Sequence, residues 1–164
     1  MDSRVEFQDG ALKRQLQEIG RRAEDLTPLM DMIGSHLAGS AQGRIGGSNT
    51  APDGTPWPPS LRARETGGRT LYDQGRLRDS ITHRASAREV EIGSNLIYAA
   101  IHQFGGDIVP VSAGALTFRL ANGQMVTCGK VTISARPYLG VSDEDEVILT
   151  DLALTYLAGE PDVA

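Results

Sequence analysis

Apolar residues recur at helical steps at both ends of the chain and at steps of two in between. Leu12, Leu16, Ile19, Ala23 and Leu26 are spaced 4, 3, 4 and 3 apart, which is one face of a helix, and Lys13, Arg14, Glu18, Arg21 and Arg22 mostly take the other side. Asp9 stands where an N-cap would, and Val5–Phe7 before it reads as a short strand. Thr27-Pro28 has the form of an N-cap followed by proline at the first helical position, opening a second helix with Met30, Ile33, Leu37 and Ala41 on one face. Gly46-Gly47 is expected to stop it. Two such helices in succession make an αα unit over residues 1–45, and neither apolar face is expected to stay wet.

Residues 46–70 carry five glycines and four prolines and show no period, so they are expected to form a long shaped loop rather than a plain connection. The loop holds the chain's only tryptophan, Trp57, within PDGTPWPP. An aromatic side chain in a proline-stiffened loop serves equally well as an interface anchor or as a cap on the domain's own core.

From Asp79 the period becomes two. Ile81, His83 and Ala85 alternate with polar residues, Val90 and Ile92 follow across the short link SAR, and a hairpin results. Ile97, Ile101 and Phe104 then return to helical steps, giving about two turns ended by Gly105-Gly106. Leu116, Phe118 and Leu120 alternate up to Asn122-Gly123, which reads as a two-residue type I′ hairpin turn, and Val131 and Ile133 continue a strand toward Arg136-Pro137. Ser142 with Asp145 three residues on is a capping-box pattern, and Ile148, Leu152 and Tyr156 give the last helix its apolar face. GEPDVA reads as a frayed tail. The order predicts a single α+β domain over 1–164: two N-terminal helices, a mostly antiparallel sheet built of hairpins over 71–164, a short helix between strands and a C-terminal helix.

Charge adds a polarity to this picture. Of 16 basic and 21 acidic residues, 13 of each lie in 1–95, so the net charge of −5 falls entirely in 96–164. Within the balanced part, residues 62–88 hold Arg62, Arg64, Arg69, Arg76, Arg78, Arg84 and Arg88 against Glu65, Asp73 and Asp79, a local +4. An acidic whole argues against general nucleic-acid binding. One cysteine, Cys128, rules out an internal disulfide framework and fits a reducing compartment. The N-terminus lacks the apolar stretch of a signal peptide, and no apolar run reaches membrane-spanning length, so the protein is expected to be soluble and made in a cytoplasm, with no membrane partner.

Candidate chemistry is sparse. His36, His83 and His102 have no metal-ligand spacing, and no Cys-x-x-Cys, nucleophile elbow or phosphate loop occurs. Asp143–Glu146 lacks the spacing of a calcium loop and reads as helix capping plus a solvated face. No catalytic, cofactor or metal residue is therefore assigned, and His102 reads as a packing residue.

Three blocks in order, PDGTPWPPSL (52–61), LYDQGRLRDSI (71–81) with VEIGSNLIYAAIHQFGG (90–106), and ISARPYLGVSDED (133–145), resemble the phage virion morphogenesis or tail-completion family across nearly the whole chain. A departure lies after Leu61, where RARETGGRT replaces an expected lysine-bearing helical stretch. The resemblance implies a non-enzymatic virion protein of the neck or upper tail, assembled in the bacterial host cytoplasm. It would work as a homo-oligomeric ring, commonly sixfold, that completes the tail between the tail tube protein and the head connector, adaptor or stopper. DNA would pass through a negatively charged lumen without specific binding. A ring needs two different complementary surfaces on each subunit. Trp57, the arginines Arg62, Arg64, Arg69, Arg76 and Arg78, and the acidic corner Asp143, Glu144 and Asp145 are the candidates. Tyr98, His102, Gln103, Phe104 and Gly105 read as architecture, packed beside Arg136, Pro137 and Tyr138. Two rival readings stand beside this one. One is a nucleic-acid-binding assembly factor using the arginines, and the other a small hydrolase pairing Cys128 with His102.

Overall fold

The computed structural model describes residues 10–159, so the expected strand at Val5–Phe7, the cap at Asp9 and the tail at 160–164 lie outside the described residues. Helix α1 (Gly10–Glu24) and helix α2 (Thr27–Gly43) follow one another as the periodicity predicts. A wide π-turn (Arg44–Ser48) continues α2 and is followed by short helices α3 (Leu61–Thr66) and α4 (Arg76–Asp79). Strands β1 (Ile81–Ala85) and β2 (Val90–Ser94), helix α5 (Ala99–Phe104), strands β3 (Gly106–Ile108), β4 (Leu116–Arg119), β5 (Met125–Cys128) and β6 (Val131–Ile133), and helix α6 (Asp143–Ala158) complete the chain. The architecture is α+β and the pairing antiparallel throughout the described strands, but in three separate two-stranded ladders, β1-β2, β3-β6 and β4-β5.

The expected burial of both N-terminal apolar faces holds only for α2. Leu29, Gly34, Leu37, Ala38 and Ala41 are buried, with Met30 and Ile33 half-buried, because α2 lies across the β1-β2 hairpin on one side and α6 on another. Helix α1 has no buried residue, and Leu12, Leu16 and Ile19 are 51, 58 and 38% exposed. It meets the body at its C-terminal end, where Arg22 Nη1 donates to the Leu157 carbonyl at 3.0 Å and Tyr156 Oη donates to that of Asp25 at 2.9 Å. Periodicity marks a face that prefers cover; it does not say that the same chain supplies it. Accordingly, Leu16→Asp is expected to change unfolding free energy by no more than about 0.5 kcal/mol, readable by thermal denaturation.

Three boundaries move for local reasons. Leu26, not Thr27, holds the N-cap position of α2, and the Asp25 carboxylate takes the Thr27 N–H at 2.9 Å. Gly46-Gly47 does not end the helix. The π-turn carries the chain past them, turns both Arg44 and Ile45 inward, and stops at Asn49, whose φ is +57°. The hairpin turn at Asn122-Gly123 is a three-residue loop: the Leu120 N–H donates to the Gln124 carbonyl at 2.9 Å, which leaves Ala121, Asn122 and Gly123 between them, and of these only Gly123 (φ +86°) has positive φ. A type I′ turn needs positive φ at both central residues, which Asn122 does not adopt.

Gly34 sets how closely α2 approaches the hairpin. A Cβ there would lie 2.7 Å from His83 Cγ and 2.7 Å from Val90 Cγ2. Gly34→Ala gains helix propensity yet overpacks this contact, so a net loss of about 1–3 kcal/mol is expected, seen as a lower thermal midpoint.

The core is small and mixed. Ala38, Ala41 and Ile45 from α2 and its π-turn meet Ala51, Trp57, Leu77, Ile81, Ala99 and Tyr138. Segment 46–70 is thus more ordered than its composition foretells: Thr50 bridges to Pro56, Ser60 caps α3, and Trp57 is 6% exposed within the core.

Candidate functional site

Two strings of polar residues, far apart in sequence, meet beside Trp57. Tyr98 is the N-cap residue of α5, and Gly105 (φ +71°) ends the helix where a Cβ would sit 2.7 Å from the Ala135 backbone nitrogen. Only glycine fits that crossing. Across it runs Arg136-Pro137-Tyr138-Leu139. Gln103 clamps the two segments: its Oε1 accepts the N–H groups of Tyr138 (2.9 Å) and Leu139 (3.0 Å), and its Nε2 donates to the Leu139 carbonyl (3.1 Å). Tyr138, 1% exposed, donates through Oη to the Ala99 carbonyl at 3.2 Å, and burial pushes its hydroxyl pKa up. Trp57 Nε1 donates to the Pro137 carbonyl at 3.0 Å, and Arg136 Nε to that of Pro58 at 2.8 Å. The Trp loop, the short helix and the Arg-Pro-Tyr segment are one braced unit.

His102 is half-buried here. Its carbonyl accepts the Arg136 N–H at 2.8 Å, and its ring stands edge-on to Tyr98 with centroids 5.9 Å apart. Burial first, then the Arg136 charge, lowers its pKa, so the ring is neutral at physiological pH. Cys128, on β5, does not line the cleft that holds His102. Phe104 turns away from the unit and is 77% exposed, and Ile97 is 96% exposed, so of the apolar face expected on α5 only Ile101 is half-buried and the fully buried contact is made by Ala99.

A second network was not foreseen. Arg44 and Asp145 are 6 and 3% exposed, and Arg44 Nη2 meets Asp145 Oδ2 at 2.5 Å. Arg44 Nη1 also donates to the carbonyls of Tyr138 (3.1 Å) and Gly140 (3.0 Å), tying the π-turn to the braced unit. Asp145 Oδ2 accepts from Ser40 Oγ (3.1 Å) and from the Ser142 N–H and Oγ (2.9 and 2.7 Å), while Oδ1 lies 2.8 Å from His36 Nε2. Burial alone would raise the Asp145 pKa. The hydrogen bonds from Ser142, Ser40 and His36 outweigh it and hold the carboxyl well below the usual range. Asp145 therefore leaves the solvated acidic corner expected from sequence and joins the interior, while Asp143 and Glu144 remain exposed.

The arginine stretch divides likewise. Arg62 Nη2 donates to the carbonyls of Arg69 and Tyr72, each at 2.6 Å, Arg69 donates to that of Gly46, and Arg78 lies over the Tyr72 ring while pairing with Asp79 at 2.7 Å. Arg64 and Arg76 are exposed and make no ion pair among the described residues. Arg64 belongs to a cleft of about 850 Å³ between α3, β4 and β6, which also takes in Arg119, Arg136 and His102. Its lining also includes the apolar side chains of Leu61, Phe118 and Ile133. No local pattern signals this cleft, because α3 and the β4-β5 hairpin are brought together only by the fold.

No solved structure matches the chain significantly. Among curated proteins it is similar to Mu-like prophage FluMu G protein 2 of Haemophilus influenzae, with 34% identity over 143 residues, 87% of this chain and 83% of that one. The phage virion morphogenesis family matches residues 7–158, which takes in the Trp loop, both halves of the braced unit and the capping box of α6. The resemblance seen in the three sequence blocks is therefore kinship, and the chain belongs to the phage virion morphogenesis family.

Proposed function

We propose that this chain is a structural, non-catalytic part of the neck or upper tail of a phage-type particle, where copies of it form a ring that completes the tail and joins it to the head. Its partners are then its own copies, the tail tube protein and the head connector, adaptor or stopper. A sixfold ring suits a tube of matching symmetry. The observation that carries this reading is the division of labour among its side chains. The polar groups of the family-like blocks brace the backbone: Gln103, Arg136 and the Trp57 indole all donate to main-chain carbonyls, and Arg44, outside those blocks, does the same. Large apolar side chains meanwhile stay uncovered, among them Leu16, Ile97, Phe104, Val111 and Val147 at 58, 96, 77, 101 and 70% exposure. Leu12, Leu16 and Ile19 share one face of α1 and are all exposed, and a continuous apolar stripe of that kind is what a partner protein would cover.

The rival readings gain nothing from the geometry. Three of the arginines offered to nucleic acid, Arg62, Arg69 and Arg78, are engaged within the chain. The test is electron microscopy of particles assembled without this protein. Overlong tails are the result expected of a lost terminator, and normal-length tails without heads that of a lost joining protein. Normal infectious particles would overturn the proposal.

A further inference from the structure

The cleft beside the braced unit holds more cations than anions. Arg62, Arg64, Arg119 and Arg136 line it with a single carboxylate, Glu65, and Arg62 is already held by Asp73 and by the Arg69 and Tyr72 carbonyls. Arg64, Arg119 and Arg136 make no salt bridge among the described residues. Arg136 is 7% exposed and is anchored by Nε to Pro58 and by Nη1 to the Ser134 carbonyl at 3.2 Å, so it is held in place rather than free to swing out to water. Burial, and then the Arg64 charge beside it, lowers the Arg136 pKa, which means that two guanidinium groups face one another's field in a partly apolar setting. A carboxylate brought to this place relieves that repulsion and is gripped by planar donors.

The same molecule carries a convex surface of the opposite kind. On α6, Asp143, Val147, Asp151 and Leu154 follow at steps of 4, 4 and 3, which puts them on one outward face. All four are exposed, Val147 by 70% and Leu154 by 62%, and Glu144 and Glu146 flank them. The inward side is formed by Asp145, Ile148, Leu152 and Tyr156, so this outward stripe has no role in the chain's own packing. A face that alternates carboxylates with apolar side chains matches a cleft that mixes guanidiniums with apolar side chains.

We propose that the Arg64–Arg119–Arg136 cleft of one copy receives the outward face of α6 from a second copy. The proposal rests on the ring reading above and names its contact. The contact is heterologous, cleft to helix, so a pair keeps one free helix at one end and one free cleft at the other, as ring closure requires. Arg64 and Arg119 form the exposed rim and meet the carboxylates. Arg136 fixes the inner end.

The test uses two charge-reversed chains. Variant one carries Arg64→Glu and Arg119→Glu; variant two carries Glu144→Arg and Glu146→Arg. All four positions are exposed and outside the core, so both chains should fold, which circular dichroism and the thermal midpoint check. Self-association of each, followed by analytical ultracentrifugation, is expected to be about tenfold or more weaker than that of the unaltered chain. An equimolar mixture is expected to regain it, because the acidic cleft of one then faces the basic helix of the other. Unchanged association of either variant alone, or a mixture that stays dissociated, overturns the proposal, as does an unaltered chain that remains monomeric at every concentration reached. Salt-sensitive duplex binding lost in variant one, with association untouched, would assign the cleft to nucleic acid and also overturn it. Copy number in intact particles separates the two levels. Many copies with unaffected variants remove only this contact, whereas a single copy per particle removes the ring reading as well.

Discussion

Asp145→Ala is expected to destabilise the fold by about 3–5 kcal/mol, lowering the thermal midpoint by roughly 10 °C. The change leaves Arg44, 6% exposed, with a buried charge and no carboxylate, and removes the acceptor shared by Ser40, His36 and the N-cap Ser142. Removing both partners, as Arg44→Met with Asp145→Ala, is expected to recover part of the loss, since no charge is then stranded, although the carbonyls of Tyr138 and Gly140 still lose a donor. The same carboxylate carries a pH signature. Its folded-state pKa lies below the unfolded value of about 4, so the unfolded chain takes up the proton first. Its contribution is then complete above about pH 5 and is lost progressively as pH falls toward the folded pKa. Denaturant midpoints measured from pH 7 down to pH 3 are expected to fall more steeply for the unaltered chain than for Asp145→Ala.

The second large effect is expected at Gln103. Gln103→Ala strips one acceptor from the N–H groups of Tyr138 and Leu139 and one donor from the Leu139 carbonyl, all at a half-buried crossing. A loss of about 2–4 kcal/mol follows. Gln103→Glu keeps the acceptor for both amides and loses only the donor, so its unfolding free energy, measured in urea, is expected to fall between the two. A merely space-filling Gln103 would make Gln103→Leu as stable as the original chain. The clamp account requires Gln103→Leu to be as damaging as Gln103→Ala.

What could be read from the sequence was what depends on near neighbours. The periods of α1, α2 and β1-β2, the capping box at Ser142 and Asp145, and the glycine-terminated helix before β3 are all fixed by residues a few positions apart. The association of Tyr98–Gly106 with Arg136–Tyr138 came from the family resemblance, and Gln103 supplies its physical cause. What escaped was long-range or dependent on subtle turn geometry. Arg44 sits in a run that reads as helix end, and its partner lies about a hundred residues on in a run that reads as solvated acid; no local pattern joins them. The π-turn that aims Arg44 inward differs from an α-turn by one residue per hydrogen-bonded loop, which no periodicity resolves. The exposed stripe of α1 was legible as apolar but not as uncovered, because its contacts lie with a short patch of α6 rather than with α2.

The account depends most on self-association at the end of the tail. Electron cryomicroscopy of complete particles tests it directly. The expected map shows a closed ring of identical copies of this chain between tube and connector, the α6 face of each against its neighbour. Density showing a lone copy, or copies placed elsewhere in the particle with no contact between them, would contradict it.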